Sequence, residues 1–151
     1  MIARLAMASP FGRLVLTERA GRIAAVEWGG LVEGDGSELL DRAAGQLAQY
    51  FAGTRRVFDL PLDLGEGPRA RLMQCLLDIP YGETLTYGEI GRRLDLPGRA
   101  VGQACGANPI PVIVPCHRVL GVRGLGGYSG VGGVETKVAL LRLEGAAGLL
   151  I

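Results

Sequence analysis

The chain has 151 residues, enough for one domain or for a core domain with a small second one. Sixteen Lys and Arg side chains against fifteen Asp and Glu give a formal net charge of +1, which argues against a strongly basic nucleic-acid coat. No stretch approaches the roughly 18 apolar residues of a membrane span, and the N-terminus lacks the apolar run of a signal peptide, so we expect an intracellular protein without a membrane partner.

The charge is distributed unevenly. Residues 1–67 carry 7 basic and 9 acidic side chains, whereas residues 68–128 carry 7 basic and 4 acidic ones. Any surface that faces nucleic-acid phosphates is therefore expected in the second half, although chance scatter alone would also explain the difference.

The chain has three cysteines, Cys75, Cys105 and Cys116, and a single histidine, His117. An odd number of cysteines without a CxxC pair is not typical of a disulfide framework, and one histidine leaves too few ligands for a structural zinc site. We therefore expect reduced thiols, no metal, no cofactor and a cytoplasmic location.

The first third of the chain has the pattern of a small β-rich unit. Ile2–Ala8 and Arg13–Thr17 flank the turn-forming residues 9–12, which predicts a β-hairpin. Ile23–Trp28 can add a third strand.

A helix and a further strand are expected next. Ser37 can cap a helix whose apolar residues recur at helical spacing, and Gly53 suits the C-terminal end of that helix. Val57–Leu62 is predicted as a strand. Asp63–Pro68, rich in Gly and acidic residues, is the best candidate for a linker.

After this linker the pattern becomes helical. Arg69–Ile79 has one apolar stripe, and Thr86 with Glu89 forms a capping box that opens a short helix ending near Leu94. A second short helix is predicted over Arg99–Ala107. The pair has the outline of a helix-turn-helix, although most such pairs are simply packed helices.

The last part contains an apolar strand-like run, Ile110–Val114, that leads into Cys116. A Gly-rich loop, Gly121–Gly133, and a final helix, Val134–Glu144, complete the chain.

Cys116 is the cysteine whose neighbours point to chemistry. Free cysteines are usually small buried hydrophobic residues, which is the expectation for Cys75 and Cys105. Cys116 instead precedes His117 and Arg118, and two potential cations beside a thiol predict a lowered pKa. His117 can act as a general base, although a single histidine is more often structural.

Glu144 lies in the last turn of the predicted final helix, where a carboxylate opposes the helix dipole at a cost of about 0.3–1 kcal/mol. Two readings are open. The side chain is either an exposed surface charge or an inward group that orients the imidazole of His117.

The second short helix carries small residues at alternate positions, namely Ala100, Gly102, Ala104 and Gly106. Glycine inside a helix costs about 1 kcal/mol relative to alanine, so this face needs a reason. It suits the close approach of another helix or of a DNA groove, and only Arg99 is long and charged there.

Taken together, these segments resemble the O6-alkylguanine-DNA alkyltransferases. The string Ile113–Val119 is similar to the active-site signature of that family. Further matches follow in the order and near the spacing of the family, at residues 81–82, 86–87, 99–102, 108–109, 127–130 and 137–145. The resemblance covers residues 69–145 well and the N-terminal part more loosely.

The resemblance implies an activity: irreversible, single-turnover transfer of an alkyl group from O6-alkylguanine in double-stranded DNA to Cys116, which repairs the base directly. His117 would deprotonate the thiol through a water, and Glu144 would orient His117. Tyr87 would donate a hydrogen bond to the departing guanine, and Asn108 would tie the active-site turn.

It also implies how the base is held. The damaged base would be flipped out of the duplex into a pocket formed by Tyr128, Ser129, Val119 and Cys105. The helix-turn-helix would enter the minor groove, with contacts from Thr86, Arg99, Ala100, Gly102, Gln103 and Gly106. Arg99 would take the place of the flipped base, and we expect a monomer.

The implied fold is a small ribonuclease H-like α/β domain over residues 1–65 and a mainly helical domain over residues 66–151 that holds the acceptor and the helix-turn-helix. The chain departs from some relatives by lacking N-terminal zinc ligands and by a loop after Ser129 that is two residues longer. Cys105 is a candidate second alkylation target. Two alternatives are a non-catalytic damage-binding module and a hydrolase using Cys116.

Overall fold

A computed structural model describes residues 2–30, 35–121 and 133–146. The chain divides into two compact units, Met1–Asp63 and Leu64–Ile151. Among the described residues, no helix combines the length and the apolar character needed to cross a membrane.

The first unit contains a three-stranded antiparallel sheet in the order β1-β2-β3. Its strands are β1 (Ile2–Ser9), β2 (Gly12–Arg19) and β3 (Arg22–Trp28), so the three strands expected from the sequence are present. The predicted strand Val57–Leu62 is wrong: only a single bridge between Leu62 and Ile23 of β3 forms, and the backbone of Asp59 is bound by the side chain of Gln46 instead.

One helix, α1 (Glu38–Phe51), packs on this sheet. Ser37 caps it as predicted, its Oγ accepting a hydrogen bond from the backbone N–H of Leu40 at 3.0 Å. Leu40 and Tyr50 on one face of α1 are fully buried. Burial of this apolar stripe holds the small unit together.

The second unit is mainly helical. It begins with α2 (Gly67–Leu77), which has Pro68 in its first turn, where a missing N–H costs nothing. A short strand, β4 (Leu85–Thr86), then pairs in parallel with β5 (Val119–Leu120). This pairing brings the start of the next helix beside the segment that carries Cys116.

The helix-turn-helix consists of α3 (Tyr87–Leu94) and α4 (Gly98–Gly106). The capping box is formed in full: Thr86 Oγ1 accepts from the N–H of Glu89, and Glu89 Oε1 accepts from the N–H of Thr86, both at 3.1 Å. Asp95 adopts a left-handed conformation that ends α3. The chain therefore reverses within three residues.

The tight turn depends on Gly91. A Cβ atom at this position would lie 2.3 Å from the carbonyl oxygen of Leu96, which is backbone and cannot rotate away. We expect Gly91→Ala to lower the free energy of unfolding by about 1–3 kcal/mol, as overpacking does. Urea denaturation measures it.

Gly88→Ala is the matched control on the same helix, because its Cβ would meet nothing closer than 3.7 Å. That change should leave stability unchanged or raise it, since alanine favours helix by up to about 1 kcal/mol over glycine. Equal losses in the two variants would contradict the role given to Gly91.

The predicted strand-like run Ile110–Val114 is a closed turn instead. The N–H of Val114 donates to the carbonyl of Ile110 at 2.9 Å, and Val112 has a φ of 73°. A 3₁₀ turn (Cys116–Arg118) follows. The last helix, α5 (Val134–Leu143), ends at Glu144, while most of the Gly-rich loop lies outside the described residues.

Candidate active site

Cys116 opens the 3₁₀ turn and is 4% exposed. Its N–H donates to the carbonyl of Val114 at 2.8 Å, and the N–H of Arg118 donates to the carbonyl of Pro115 at 3.0 Å. Two successive tight turns thus place the thiol inside the helical unit, between the closed turn and β5.

Asn108 braces the turn that precedes Cys116. Its Nδ2 donates to the carbonyl of Val114 at 2.9 Å, and its Oδ1 accepts from the N–H of Ile110 at 2.9 Å. Both bonds are buried, and loss of Asn108 would leave the N–H of Ile110 unpaired, whereas the carbonyl of Val114 would keep the bond from the N–H of Cys116. The side chain joins the two ends of the segment that contains the positive-φ residue Val112.

His117, Glu144 and Arg118 form a buried cluster. His117 Nε2 lies 2.7 Å from Glu144 Oε2. Arg118 donates to the same carboxylate twice, from Nε to Oε1 at 2.8 Å and from Nη2 to Oε2 at 3.0 Å. The side chains of His117 and Glu144 are fully buried. Glu144 thus points inward, one of the two readings left open by the sequence.

The carboxyl of Glu144 is ionised. Burial alone would raise its pKa, but hydrogen bonds from His117 and Arg118, together with their charges, outweigh burial and lower the pKa to about 2. An ionised carboxylate only accepts hydrogen bonds, so the proton in the contact with His117 resides on Nε2.

His117 is a neutral imidazole. Burial lowers its pKa, the hydrogen bond and charge of Glu144 offset part of this effect, and the charges of Arg118 and Lys137 lower the pKa further. Because Nε2 carries the proton, Nδ1 has a free lone pair. Among the described residues, Nδ1 is buried and has no hydrogen-bond partner.

The pKa of the Cys116 thiol is raised, which corrects the expectation of a lowered one. Burial is the main cause, and hydrogen bonding by Asn108 and the charge of Lys137 offset it only in part. Arg118, which the sequence suggested as an activating cation, binds Glu144 and the carbonyl of Ile79 instead.

Lys137 is the cation that the sequence analysis missed. Its side chain on α5 is fully buried, and Nζ donates to the carbonyl of Val119 at 2.6 Å and to Tyr87 Oη at 3.4 Å. Burial lowers its pKa to about 8, while the neighbouring thiols of Cys116 and Cys105 act in the opposite direction. At neutral pH the ammonium is mostly retained.

Tyr87, the first residue of α3, is half-buried over this lysine, with Nζ 5.6 Å from the ring centroid. Burial raises the pKa of its phenol, and Cys105 and Cys116 add to that shift. The phenol is therefore held as a proton donor. Thr86, expected to contact DNA, is half-buried and uses its hydroxyl as the cap of α3.

The remaining predicted residues lie on α4 or near it. Arg99, Gln103 and Gly106 are exposed, whereas Ala100 and Gly102 are half-buried. Cys105 is buried, and burial, followed by the effect of Cys116, raises its pKa to about 12. A thiol with such a pKa is a poor second acceptor. Tyr128 and Ser129 lie outside the described residues.

Two family profiles match this chain. The 6-O-methylguanine DNA methyltransferase, ribonuclease-like domain, matches residues 3–64, and the 6-O-methylguanine DNA methyltransferase, DNA binding domain, matches residues 68–146. The chain belongs to the 6-O-methylguanine DNA methyltransferase family. The resemblance described from the sequence is thereby confirmed, as is the fold class of a ribonuclease-like domain followed by a helical DNA-binding domain.

The methylated-DNA–protein-cysteine methyltransferase of Mycobacterium tuberculosis is 54% identical over 106 residues, which cover 68% of this chain and 63% of that protein. The matched stretch thus spans less than two thirds of this relative. A crystal structure of the O6-methylguanine methyltransferase of this organism superposes with a TM-score of 0.85 at 39% identity, covering 100% of this chain and 97% of that one. A crystal structure of the Mycobacterium tuberculosis OGT in complex with DNA superposes with a TM-score of 0.82 at 42% identity. It covers 93% of this chain and 91% of that one.

The buried cluster of this family member predicts acid lability. Above its ordinary value of 4.5, Glu144 is ionised in both the folded and the unfolded chain, so its contribution to stability is complete. As pH falls toward 2 the unfolded chain binds the proton first, and the contribution is lost. His117, whose pKa is also lowered, begins the loss below its ordinary value of 6.5.

We therefore expect the free energy of unfolding to fall as the pH is lowered from about 6.5, and most steeply below about 4.5. Urea titrations across this range measure the profile. Glu144→Gln should remove the steep part, whereas Glu135→Gln, an exposed change on α5, should keep it. The same slope in all three proteins would contradict the assignment.

Proposed function

We propose that this protein repairs O6-alkylguanine in double-stranded DNA by moving the alkyl group irreversibly to its own Cys116, once per molecule. The observation that carries the proposal is the buried Cys116 beside a neutral His117 that is held by Glu144, in a chain of this family. This is the arrangement that nucleophilic catalysis by a thiol requires.

The thiol would be activated by His117. Its Nδ1 lone pair accepts the proton of Cys116 through a water, and Glu144 stabilises the imidazolium that forms. The raised pKa of Cys116 makes thiolate formation uphill, and the ammonium of Lys137 reduces that cost. Base, orienting carboxylate and cation come from the 3₁₀ turn and from α5.

The thiolate then attacks the alkyl carbon in line with the bond to O6. A carbon–sulfur bond forms, the carbon–oxygen bond breaks, and its electron pair remains on guanine. Tyr87 donates a hydrogen bond to the departing base and stabilises the charge that develops there, because a phenol with a raised pKa keeps its proton at neutral pH. Lys137 donates to Tyr87 Oη, which leaves the phenolic O–H to face the base.

DNA would bind through α3 and α4. Cys116 is 4% exposed, so a stacked base is out of its reach and the nucleotide must be flipped out. We assign minor-groove contacts to the short side chains of α4, namely Ala100, Gly102 and Gly106, with Gln103 and Thr86 beside them. Arg99 fills the gap in the stack. Tyr128, Ser129, Val119 and Cys105 are proposed to line the base pocket.

Three further proposals concern the whole protein. Residues 1–65 form the N-terminal domain, and residues 66–151 form the domain that accepts the alkyl group and binds DNA. The protein acts as a monomer without a cofactor. It resides in the cytoplasm, where its free thiols stay reduced.

The test is the number of alkyl groups transferred per chain. A duplex with one radiolabelled O6-methylguanine, in excess, is mixed with wild type, Cys116→Ser and Cys105→Ser. We expect a plateau near one label per chain for wild type and for Cys105→Ser, and none for Cys116→Ser. Tight lesion binding without transfer would instead indicate a damage-binding module, and continued turnover would indicate a hydrolase.

A further inference from the structure

Arg118 is held from three sides within the helical unit. Its guanidinium makes the two bonds to Glu144, and Nη1 donates to the carbonyl of Ile79 at 2.7 Å. The guanidinium carbon also lies 5.7 Å from the ring centroid of Tyr81, whose hydroxyl donates to the carbonyl of Leu143 at 3.2 Å. A bidentate, stacked arginine at 6% exposure has one geometry.

The two donors to Glu144 share one oxygen. Oε2 accepts from His117 Nε2 at 2.7 Å and from Arg118 Nη2 at 3.0 Å. Because Oε2 accepts both hydrogen bonds, its negative charge is shared between the guanidinium of Arg118 and the imidazole of His117. Arg118 therefore weakens the pull of Glu144 on a second proton at His117.

The charge balance leads to the same conclusion. With His117 neutral, Glu144 and Arg118 sum to zero, and protonation of His117 leaves a buried net charge of +1. Without Arg118 the pair carries −1, and protonation of His117 would neutralise it. A buried cluster disfavours a further positive charge, so Arg118 favours the neutral form of His117, and the ammonium of Lys137 adds to this effect.

We propose that Arg118 is a positioning residue that acts through Glu144 to keep His117 an unprotonated base until the thiol of Cys116 delivers its proton. This inference rests on the proposed alkyl transfer. Among the described residues, the ammonium of Lys137 from α5 also acts on His117, in the same direction as Arg118, and the thiol of Cys116 is its neighbour in sequence.

The consequence is a broad working range of pH. Transfer requires an unprotonated His117. Arg118 lowers the pKa of this imidazole, so its protonation occurs at lower pH. The rate of transfer by wild type should therefore hold below the ordinary pKa of 6.5 for histidine.

The test uses the single histidine of the chain, which gives one unambiguous imidazole signal in a ¹⁵N NMR titration. We expect wild type to show a neutral His117 with the proton on Nε2 at neutral pH and a titration midpoint below 6.5. In Arg118→Gln, which keeps a hydrogen-bond donor and removes the charge, the midpoint should rise by about one pH unit or more. Arg118→Lys should restore most of the wild-type behaviour.

Single-turnover rates across the same pH range provide the second readout. The fall in rate on the acidic side of the pH–rate profile should occur at higher pH in Arg118→Gln and return to the wild-type pH in Arg118→Lys. Arg142→Gln, an exposed change on α5, should leave the profile unchanged. A uniform loss of rate with an unshifted profile would reduce Arg118 to a structural role and overturn the proposal.

Two outcomes separate the inference from the proposed function. A wild type that transfers no alkyl group refutes the function, and the NMR titration still decides the role of Arg118. If Arg118→Gln does not fold, the wild-type spectrum remains decisive, because a midpoint at or above 6.5 would overturn the inference.

Discussion

The Glu144→Ala variant is expected to lose about 3–5 kcal/mol of its free energy of unfolding, the cost of removing one partner from a buried ion pair. The change leaves the guanidinium of Arg118 without its counter-charge at 6% exposure and removes the partner of His117 Nε2. Chemical denaturation at neutral pH measures the loss.

Glu135→Ala is the matched control. Glu135 is exposed in the first turn of α5, where its charge favours the helix dipole, so its loss should cost only about 0.3–1 kcal/mol. A loss of similar size at Glu144 would mean that solvent reaches Arg118 and that the cluster is not sealed.

The Lys137→Met variant is expected to slow alkyl transfer by about 10²–10³-fold, as loss of a preorganised group beside developing charge does. Lys137 is the cation whose charge favours the Cys116 thiolate and whose Nζ donates to Tyr87 Oη. Methionine keeps the length of the side chain and removes the charge. The measurement is a single-turnover rate constant with lesion-containing duplex in excess.

Affinity for undamaged duplex should not change in this variant, because Lys137 is fully buried and presents no charge to phosphates. Arg142→Met, an exposed change on α5, controls for loss of one positive charge. A second measurement locates the effect: if Lys137 acts through Tyr87, the losses in Lys137→Met and Tyr87→Phe should not add in the double variant. An unchanged rate would remove Lys137 from the reaction.

Elements defined by neighbouring residues were predictable from the sequence. Ser37 caps α1, and Thr86 with Glu89 opens α3, because a capping side chain bonds to an N–H three residues away and needs no distant partner. The three strands of the sheet followed from alternation and turn residues in the same way. Val57–Leu62 shows the limit: its composition suits a strand, but its backbone at Asp59 pairs with the side chain of Gln46 from α1, and only its end bridges β3.

The electrostatics of the site were not predictable. The neighbours His117 and Arg118 suggested a lowered pKa for Cys116, but burial, a property of the whole fold, reverses the direction. Adjacency in sequence also made the interpretation of Arg118 wrong. Its guanidinium binds Glu144 and the carbonyl of Ile79 and does not activate the thiol of Cys116.

Lys137 carried a signal that was available in the sequence. It precedes Leu140, Leu141 and Glu144 by three, four and seven residues, so it lies on the buried face of α5 rather than on its polar one. A lysine in the middle of an apolar stripe indicates a buried charge, which is often functional. Its partners, Tyr87 and the carbonyl of Val119, come from other elements and emerge only with the fold.

If the protein acts once, as proposed, the burial of Cys116 also affects how long the unreacted protein lasts. Peroxides, disulfides of small thiols and other electrophiles react with thiolates, and a thiol of raised pKa at 4% exposure offers them little of that form. Each molecule consumed by such a reaction would be one repair fewer. Under the proposed function, a thiol that reacts slowly at rest would preserve the unreacted protein until a damaged base is bound.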